Sequence, residues 1–185
     1  PDLFKRNILE IDVAIVQVSP PDIHGYCTLG LSIDIARSAV NNAKKIIALI
    51  NPRMPRTHGD GMIHTEKKKK MVFHPAELHE EFYGDKMGDT EMAIGRNVAE
   101  LIEDGSTLQM GIGTIPDAVL KYLTGHKNLG VHTEMLSDGV ITLVEKDIIN
   151  NKKKSIHPNK SVTSFALGSR RLYDYVNDNP AMAFL

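Results

Sequence analysis

Short β-branched, apolar runs alternate with segments of helical periodicity along most of this chain, and that alternation constrains the fold more than any other feature. Asp12 to Val18 (D-V-A-I-V-Q-V) reads as a buried strand stopped by Ser19-Pro20-Pro21, because β-branched residues suit a pleated surface and proline cannot continue a ladder. Ile35, Ala36, Ala39, Val40 and Ala43 then recur at helical spacing around a helix predicted over Ile33 to Asn42, with Lys44 and Lys45 at its negative end. Ile46 to Ile50 is the next apolar run, closed by Asn51-Pro52-Arg53-Met54-Pro55. Strand, helix, strand is a βαβ unit, so the sequence predicts an α/β fold built on a parallel sheet.

The rhythm lapses over residues 57–88, which hold Gly59, Gly61, the Lys67 to Lys70 run and four of the eight His; a long loop is expected there. Order returns with a helix capped by Asp89 or Thr90, burying a stripe of Ile94, Val98, Leu101 and Ile102 and ended by Gly105. Thr107 to Met110 reads as a strand and Gly111-Ile112-Gly113 as a tight turn. A helix follows with Thr114 as N-cap and Pro116 in its first turn, where proline is tolerated. Leu129 to Thr133 completes a second βαβ unit. Beyond Glu134 and Ser137-Asp138-Gly139, a helix over Val140 to Ile149, a strand over Ser161 to Leu167 and a helix over Ser169 to Asn177 are expected, with no closing element before Leu185.

Composition narrows the function classes. Of the 185 residues, 22 are Lys or Arg and 23 are Asp or Glu, a net charge of −1, which disfavours a nucleic-acid binder. A single cysteine, Cys27, excludes a disulfide scaffold. With 42% hydrophobic and 24% charged residues the chain is of ordinary globular make-up. No run approaches the roughly 20 apolar residues of a membrane span, and no signal-peptide pattern is present, so no membrane partner and a soluble intracellular location are expected. The first residue is Pro1 rather than Met, and the expectation is a piece of something longer.

In a right-handed βαβ unit the loops after both strands leave the same sheet edge, which places the Gly111 to Gly113 turn beside Glu134. Glycines let a ligand approach the backbone, and N–H groups at a helix start face negative charge or a developing oxyanion. A carboxylate beside such donors is a candidate nucleophile. Spacing alone leaves both acyl chemistry and an ordinary βα turn with a solvated Glu open. The dinucleotide fingerprint G-x-G-x-x-G is disfavoured, because Pro116 stands where its third glycine must be.

Four strings carry a resemblance: Asp12 to Gly30 (D-V-A-I-V-Q-V-S-P-P-D-I-H-G-Y-C-T-L-G), Asn51 to Gly61 (N-P-R-M-P-R-T-H-G-D-G), Ala99 to Val119 (A-E-L-I-E-D-G-S-T-L-Q-M-G-I-G-T-I-P-D-A-V) and Leu129 to Gly139 (L-G-V-H-T-E-M-L-S-D-G). They resemble the acetyl-CoA hydrolase/transferase family, within it the 4-hydroxybutyrate and acetate CoA-transferase branch. The resemblance implies the CoA-transferase (NagB/RpiA-like) type of α/β fold, and CoA transfer between acetyl-CoA or acetate and a second short-chain carboxylic acid such as 4-hydroxybutyrate, butyrate or succinate. It implies a covalent glutamyl-CoA thioester on Glu134, within His132-Thr133-Glu134-Met135-Leu136-Ser137-Asp138-Gly139, and CoA and oxyanion contacts at Gln109, Met110, Gly111, Ile112 and Gly113. Coenzyme A is then a substrate, with no permanently bound cofactor and no metal. Acyl-CoA hydrolysis by the same Glu and a silent CoA- or nucleotide-binding module are the alternatives.

The family chain is more than twice this length. Residues 1–88 are therefore expected to close a first CoA-transferase domain, with the long loop at 57–88, and residues 89–185 to open a second, in a protein that is homo-oligomeric at full length. The compartment implied is mitochondrial for a eukaryotic source, toward which the Asp12 to Asn51 wording leans, and cytoplasmic for a bacterial one.

Other features take plainer readings. His58 and His64 lack further ligands nearby, and His79-Glu80-Glu81-Phe82-Tyr83 has Tyr83 where a metalloprotease needs its second His. Lys67 to Lys70 and Lys152 to Lys154 read as solvated loops before phosphate contacts, His132 as a core histidine before an orienter of Glu134, and Cys27 as a buried structural thiol.

Overall fold

The computed structural model describes residues 1–66, 69–83 and 87–185. After a short helix α1 (Asp2–Lys5), strand β1 (Val13–Val18), helix α2 (Asp34–Asn42) and strand β3 (Lys45–Ile50) form the expected βαβ unit, paired in parallel from Val13↔Lys45 to Val18↔Ile50. Between β1 and α2, strand β2 (Tyr26–Thr28) pairs antiparallel with β4 (Met62–His64), burying Cys27 and Ile63.

The segment expected to be a long loop contains, besides β4, strand β5 (Lys69–Phe73), which pairs in parallel with β3 and completes the order β1-β3-β5. The lysine run hid it. An edge strand tolerates long cations that would be costly in a central one, and Met71 packs on the core. Lys67 and Lys68 lie outside the described residues.

Helix α3 (Asp89–Ala99) starts from Gly88, not from a side-chain cap at Asp89 or Thr90; the Glu91 carboxylate accepts the Gly88 N–H at 2.9 Å. Its buried residues are Gly95 and Ala99; of the stripe expected inside, Ile102 packs on the core while Ile94, Val98 and Leu101 are exposed, Leu101 to 83%. A Cβ on Gly95 would come 2.7 Å from the Ala118 carbonyl carbon, so α3 reaches its neighbour through small residues at backbone contact, while periodicity counted only the large ones.

Strand β6 (Thr107–Leu108), helix α4 (Thr114–Tyr122) and strand β7 (Gly130–Val131) form the second βαβ unit, paired Thr107↔Gly130 and Leu108↔Val131. Gly113, not Thr114, is the N-cap of α4. Strand β8 (Met135–Leu136) leads into α5 (Gly139–Glu145), which stops short of the expected Ile149; Asp147 turns the chain at φ 54° and Ile149 bridges Leu129 instead. The Ser161 to Leu167 run is broken into β9 (Ser161–Thr163) and β10 (Phe165–Ala166), and α6 (Arg170–Val176) follows. A closing element does exist: β11 (Met182–Phe184) pairs in parallel with β9. Three consecutive buried residues show neither period, which is why the sequence does not reveal them.

Residues from both halves share one core, in which Val18, Ile33 and Ile63 join Leu136, Leu172 and Phe184. Backbone hydrogen bonds stitch the halves: Ile33 N–H to Ser164 C=O at 3.0 Å, Ala166 N–H to Leu31 C=O at 2.8 Å, and Phe184 N–H to His58 C=O at 2.8 Å. No helix among the described residues is long and apolar enough to cross a membrane.

Candidate active site

The ladder between β6 and β7 fixes where the two singled-out motifs leave the sheet. Past its last rung, His132 N–H donates to Leu108 C=O at 3.0 Å. The Thr133 hydroxyl then takes over the role of a backbone rung: it accepts the Met110 N–H at 3.0 Å and donates to the Met110 C=O at 2.6 Å. Glu134 and Gly111, the next residues on each strand, thus leave the carboxyl edge of the same parallel pair, where crevices form in α/β sheets.

The Glu134 backbone is pinned while its side chain is exposed. Its carbonyl accepts Ser164 N–H at 3.1 Å, Phe165 N–H at 3.0 Å, Thr163 Oγ1 at 3.0 Å and Ser164 Oγ at 3.1 Å. The residue opens on a cleft of about 920 Å³ whose walls include Ile33, Arg37, Asp60 and Ser164.

The glycine turn is held open. Gly113 has φ +125° and ψ −175°, a conformation essentially reserved for glycine, whereas Gly111 has no such constraint; a Cβ on either meets nothing within 4 Å. Among the described residues, the N–H groups of Gly111, Ile112 and Gly113 donate to no protein acceptor, so they are available to a ligand oxygen. Met110 N–H is not, since Thr133 takes it. Gln109, Met110 and Gly111 line an apolar hollow of about 240 Å³ with Val98, Ile115 and Val119, separate from the cleft that receives Glu134. Gly113→Ala is expected to cost about 1–3 kcal/mol of stability from strain, and Gly111→Ala less than about 0.5 kcal/mol. Urea unfolding of both variants checks this, and equal losses would contradict it.

The chain as a whole is similar to known proteins. Residues 2–82 match the acetyl-CoA hydrolase/transferase N-terminal domain. Over 182 residues the chain is 53% identical to a 4-hydroxybutyrate coenzyme A transferase of Clostridium kluyveri, covering 97% of this chain and 42% of that protein. A succinyl-CoA:acetate/propanoyl-CoA:succinate CoA transferase of Fasciola hepatica is 47% identical, over 97% of this chain and 38% of its own length. The crystal structure of a 4-hydroxybutyrate CoA-transferase from Porphyromonas gingivalis superposes with a TM-score of 0.94 at 46% identity, covering 100% of this chain and 47% of that one. Over residues 2–82 the chain carries the N-terminal domain of the acetyl-CoA hydrolase/transferase family. Its fold is the α/β CoA-transferase fold of these neighbours, and it spans less than half the length of the relatives it matches.

Within this fold the Ser137-Asp138-Gly139 string holds the site together. Ser137 Oγ donates to the buried Asp117 Oδ1 at 2.7 Å, tying the start of α4 to the loop after Glu134. Asp138 accepts the Ser169 N–H at 2.7 Å and hydroxyl at 2.5 Å, tying that loop to the start of α6. Sequence reading missed Asp117; a carboxylate in the first turn after the glycines is a weak signal, since exposed first-turn acids are common. Burial, with the nearby Asp138 charge adding to it, pushes the Asp117 carboxyl above the ordinary carboxylate range, against the Ser137 bond and Lys121. The folded state therefore keeps its proton after the unfolded chain has released it, and stability falls as pH rises from the ordinary value of 3.8 through the raised folded value. Asp117→Asn is expected to flatten that fall in urea midpoints taken across the range; parallel curves for parent and variant would contradict it.

Two expectations about neighbours are overturned. His132 is exposed rather than in the core, because strand alternation turns Val131 and Thr133 inward and His132 and Glu134 outward. Its ring lies 6.1 Å from that of His157 and is held below the ordinary imidazole range by desolvation first, then by Lys154 and His157. Lys154 is buried, not solvated: its ammonium donates to Val131 C=O at 2.7 Å and Lys160 C=O at 2.6 Å, and its stem covers Gly130. Cys27 is in the core as expected, and His58 and His64 have separate partners, Asp178 at 3.0 Å and the Tyr26 ring at 4.8 Å.

Proposed function

We propose that this chain carries the nucleophile and oxyanion donors of a CoA-transferase that moves CoA between acetyl-CoA or acetate and a second short-chain carboxylic acid. The observation that carries the reading is the two-way Thr133–Met110 hydrogen bond, which brings an exposed, backbone-pinned Glu134 and an open glycine turn to one sheet edge. The carboxylate of Glu134 attacks the acyl-CoA carbonyl; the tetrahedral oxyanion collapses to a mixed anhydride and expels CoA thiolate. The thiolate attacks the glutamyl carbonyl, releasing the first carboxylate and leaving the glutamyl-CoA thioester. A second carboxylate reverses both steps. Each oxyanion is stabilised by N–H groups of the Gly111 to Gly113 turn, about 3–4 kcal/mol for a well-placed donor. Coenzyme A is a substrate here.

The names of the relatives support the class of acids, which includes hydroxy, dicarboxylic and simple short-chain members. The family match ending at residue 82 supports reading residues 1–88 as the close of a first domain and 89–185 as the opening of a second. The full-length protein in this reading is a homo-oligomer. The compartment in this reading is mitochondrial in a eukaryotic source and cytoplasmic in a bacterial one. One observation favours a second outcome: the exposure of Glu134 admits water, which would turn the thioester to net hydrolysis.

Incubation with acetyl-CoA and isotopically labelled acetate separates the outcomes. Transfer predicts label in acetyl-CoA without loss of thioester, hydrolysis predicts free CoA, and the absence of both would overturn the reading.

A further inference from the structure

Acyl transfer through a glutamyl thioester creates oxyanions in two places. One is carried by the acyl-CoA carbonyl when the Glu134 carboxylate attacks it. The other is carried by Glu134 itself: as the thiolate sulfur bonds to the Glu134 carboxyl carbon of the anhydride, the carbonyl electron pair moves onto the side-chain oxygen, and it returns when the first carboxylate leaves. A donor for this second oxyanion has to stand beside the Glu134 side chain.

The strand register places one there. His132 bridges Val162 in parallel and Met135 pairs with Phe165, so Glu134 and Ser164 hold matched positions on neighbouring strands, which lie about 4.8 Å apart. Thr133 and Thr163, one residue back on each strand, are both buried. Alternation then turns Glu134 and Ser164 outward, and both line the same cleft. Side chains that face the same way at matched strand positions are in reach of one another with no movement of the backbone.

The Ser164 hydroxyl is a surplus donor. It points at the Glu134 carbonyl at 3.1 Å, but that oxygen already takes the N–H groups of Ser164 and Phe165, at 3.1 and 3.0 Å, which use both lone pairs of a carbonyl. The Thr163 hydroxyl, which also reaches the Glu134 carbonyl, has an alternative acceptor in the Phe165 carbonyl at 2.9 Å. Ser164 has none among the described residues. Its backbone is fixed on both sides, since its C=O accepts the Ile33 N–H at 3.0 Å, so rotation about the Cα–Cβ bond alone redirects the hydroxyl. We propose that Ser164 is a catalytic residue whose hydroxyl donates a hydrogen bond to the oxyanion formed on the Glu134 side chain as the glutamyl-CoA thioester is made and broken. It adds to the N–H groups of the glycine turn, and its proton stays on Oγ throughout. This rests on the glutamyl-thioester reading of Glu134.

The test follows formation of the CoA adduct at Glu134 from acetyl-CoA in the full-length protein, by rapid quench and peptide mass spectrometry. Ser164→Ala is expected to slow adduct formation by at least about tenfold, toward the hundredfold typical of a lost oxyanion donor. In steady-state exchange kcat should fall with it, while KM for acetate stays within about threefold. Ser164→Thr keeps the hydroxyl and should restore the rate to within about fivefold of the parent. Because the hydroxyl is surplus to the fold, the urea midpoint of Ser164→Ala should match that of the parent. A slowing of less than about tenfold, a loss that Ser164→Thr does not restore, or a loss accompanied by a lowered midpoint would each overturn the proposal. The two readings fail differently: no adduct in the parent protein would overturn the Glu134 reading and this one with it, whereas an adduct formed equally fast in parent and Ser164→Ala would overturn this one alone.

Discussion

Glu134→Ala is expected to abolish exchange of labelled acetate into acetyl-CoA, by at least about a thousandfold, because no other group can form the covalent intermediate. Removal of a general acid or of a binding contact would leave more. The variant should fold normally: the Glu134 side chain is exposed, and everything that fixes the residue acts on its backbone carbonyl. A urea midpoint within about 0.5 kcal/mol of the parent is therefore expected. Residual exchange within tenfold of the parent would remove Glu134 from the mechanism.

The second large effect concerns stability. Gly59 sits at φ +120° against β11, and a Cβ there would lie 2.1 Å from the Phe184 carbonyl oxygen and 2.7 Å from its nitrogen. Both clashing atoms are backbone, and both are engaged: Phe184 N–H donates to His58 C=O and Phe184 C=O accepts Asp60 N–H, each at 2.8 Å. Gly59→Ala must strain its own backbone and push β11 away, about 3–5 kcal/mol together. Against a typical total of about 5–15 kcal/mol that approaches unfolding. Gly125→Ala, whose Cβ meets nothing within 4 Å, is the matched control, expected to change stability by less than about 0.5 kcal/mol. Equal urea midpoints for the two variants would mean that the strand closing the second half does not dock on the first half as described.

The parts of this fold that sequence could reveal are those with a period to read. β1, α2 and β3 each carry a long enough apolar pattern, and the structure matches them to within a residue or two. β5 was hidden by its lysines, and β11 by its brevity. The face of α3 was misassigned because Gly95 and Ala99, which carry the close contact, are the residues that a hydrophobicity pattern weighs least. At the site, the handedness of the crossover predicted that Gly111 and Glu134 share a sheet edge, and that is local topology. Asp117 and Thr133 were not legible as site residues. Their roles depend on contacts across 20 or more residues, Asp117 with Ser137 and Thr133 with Met110, which no spacing rule encodes.

The central claim, that Glu134 forms a covalent bond to the acyl group and then to CoA, is tested most directly by peptide mass spectrometry after incubation with acetyl-CoA and borohydride trapping. The account predicts modification of the peptide carrying Glu134, at that residue, and none in Glu134→Ala. An unmodified Glu134 in a protein that binds CoA would contradict it and leave a CoA-binding module in place of a transferase site.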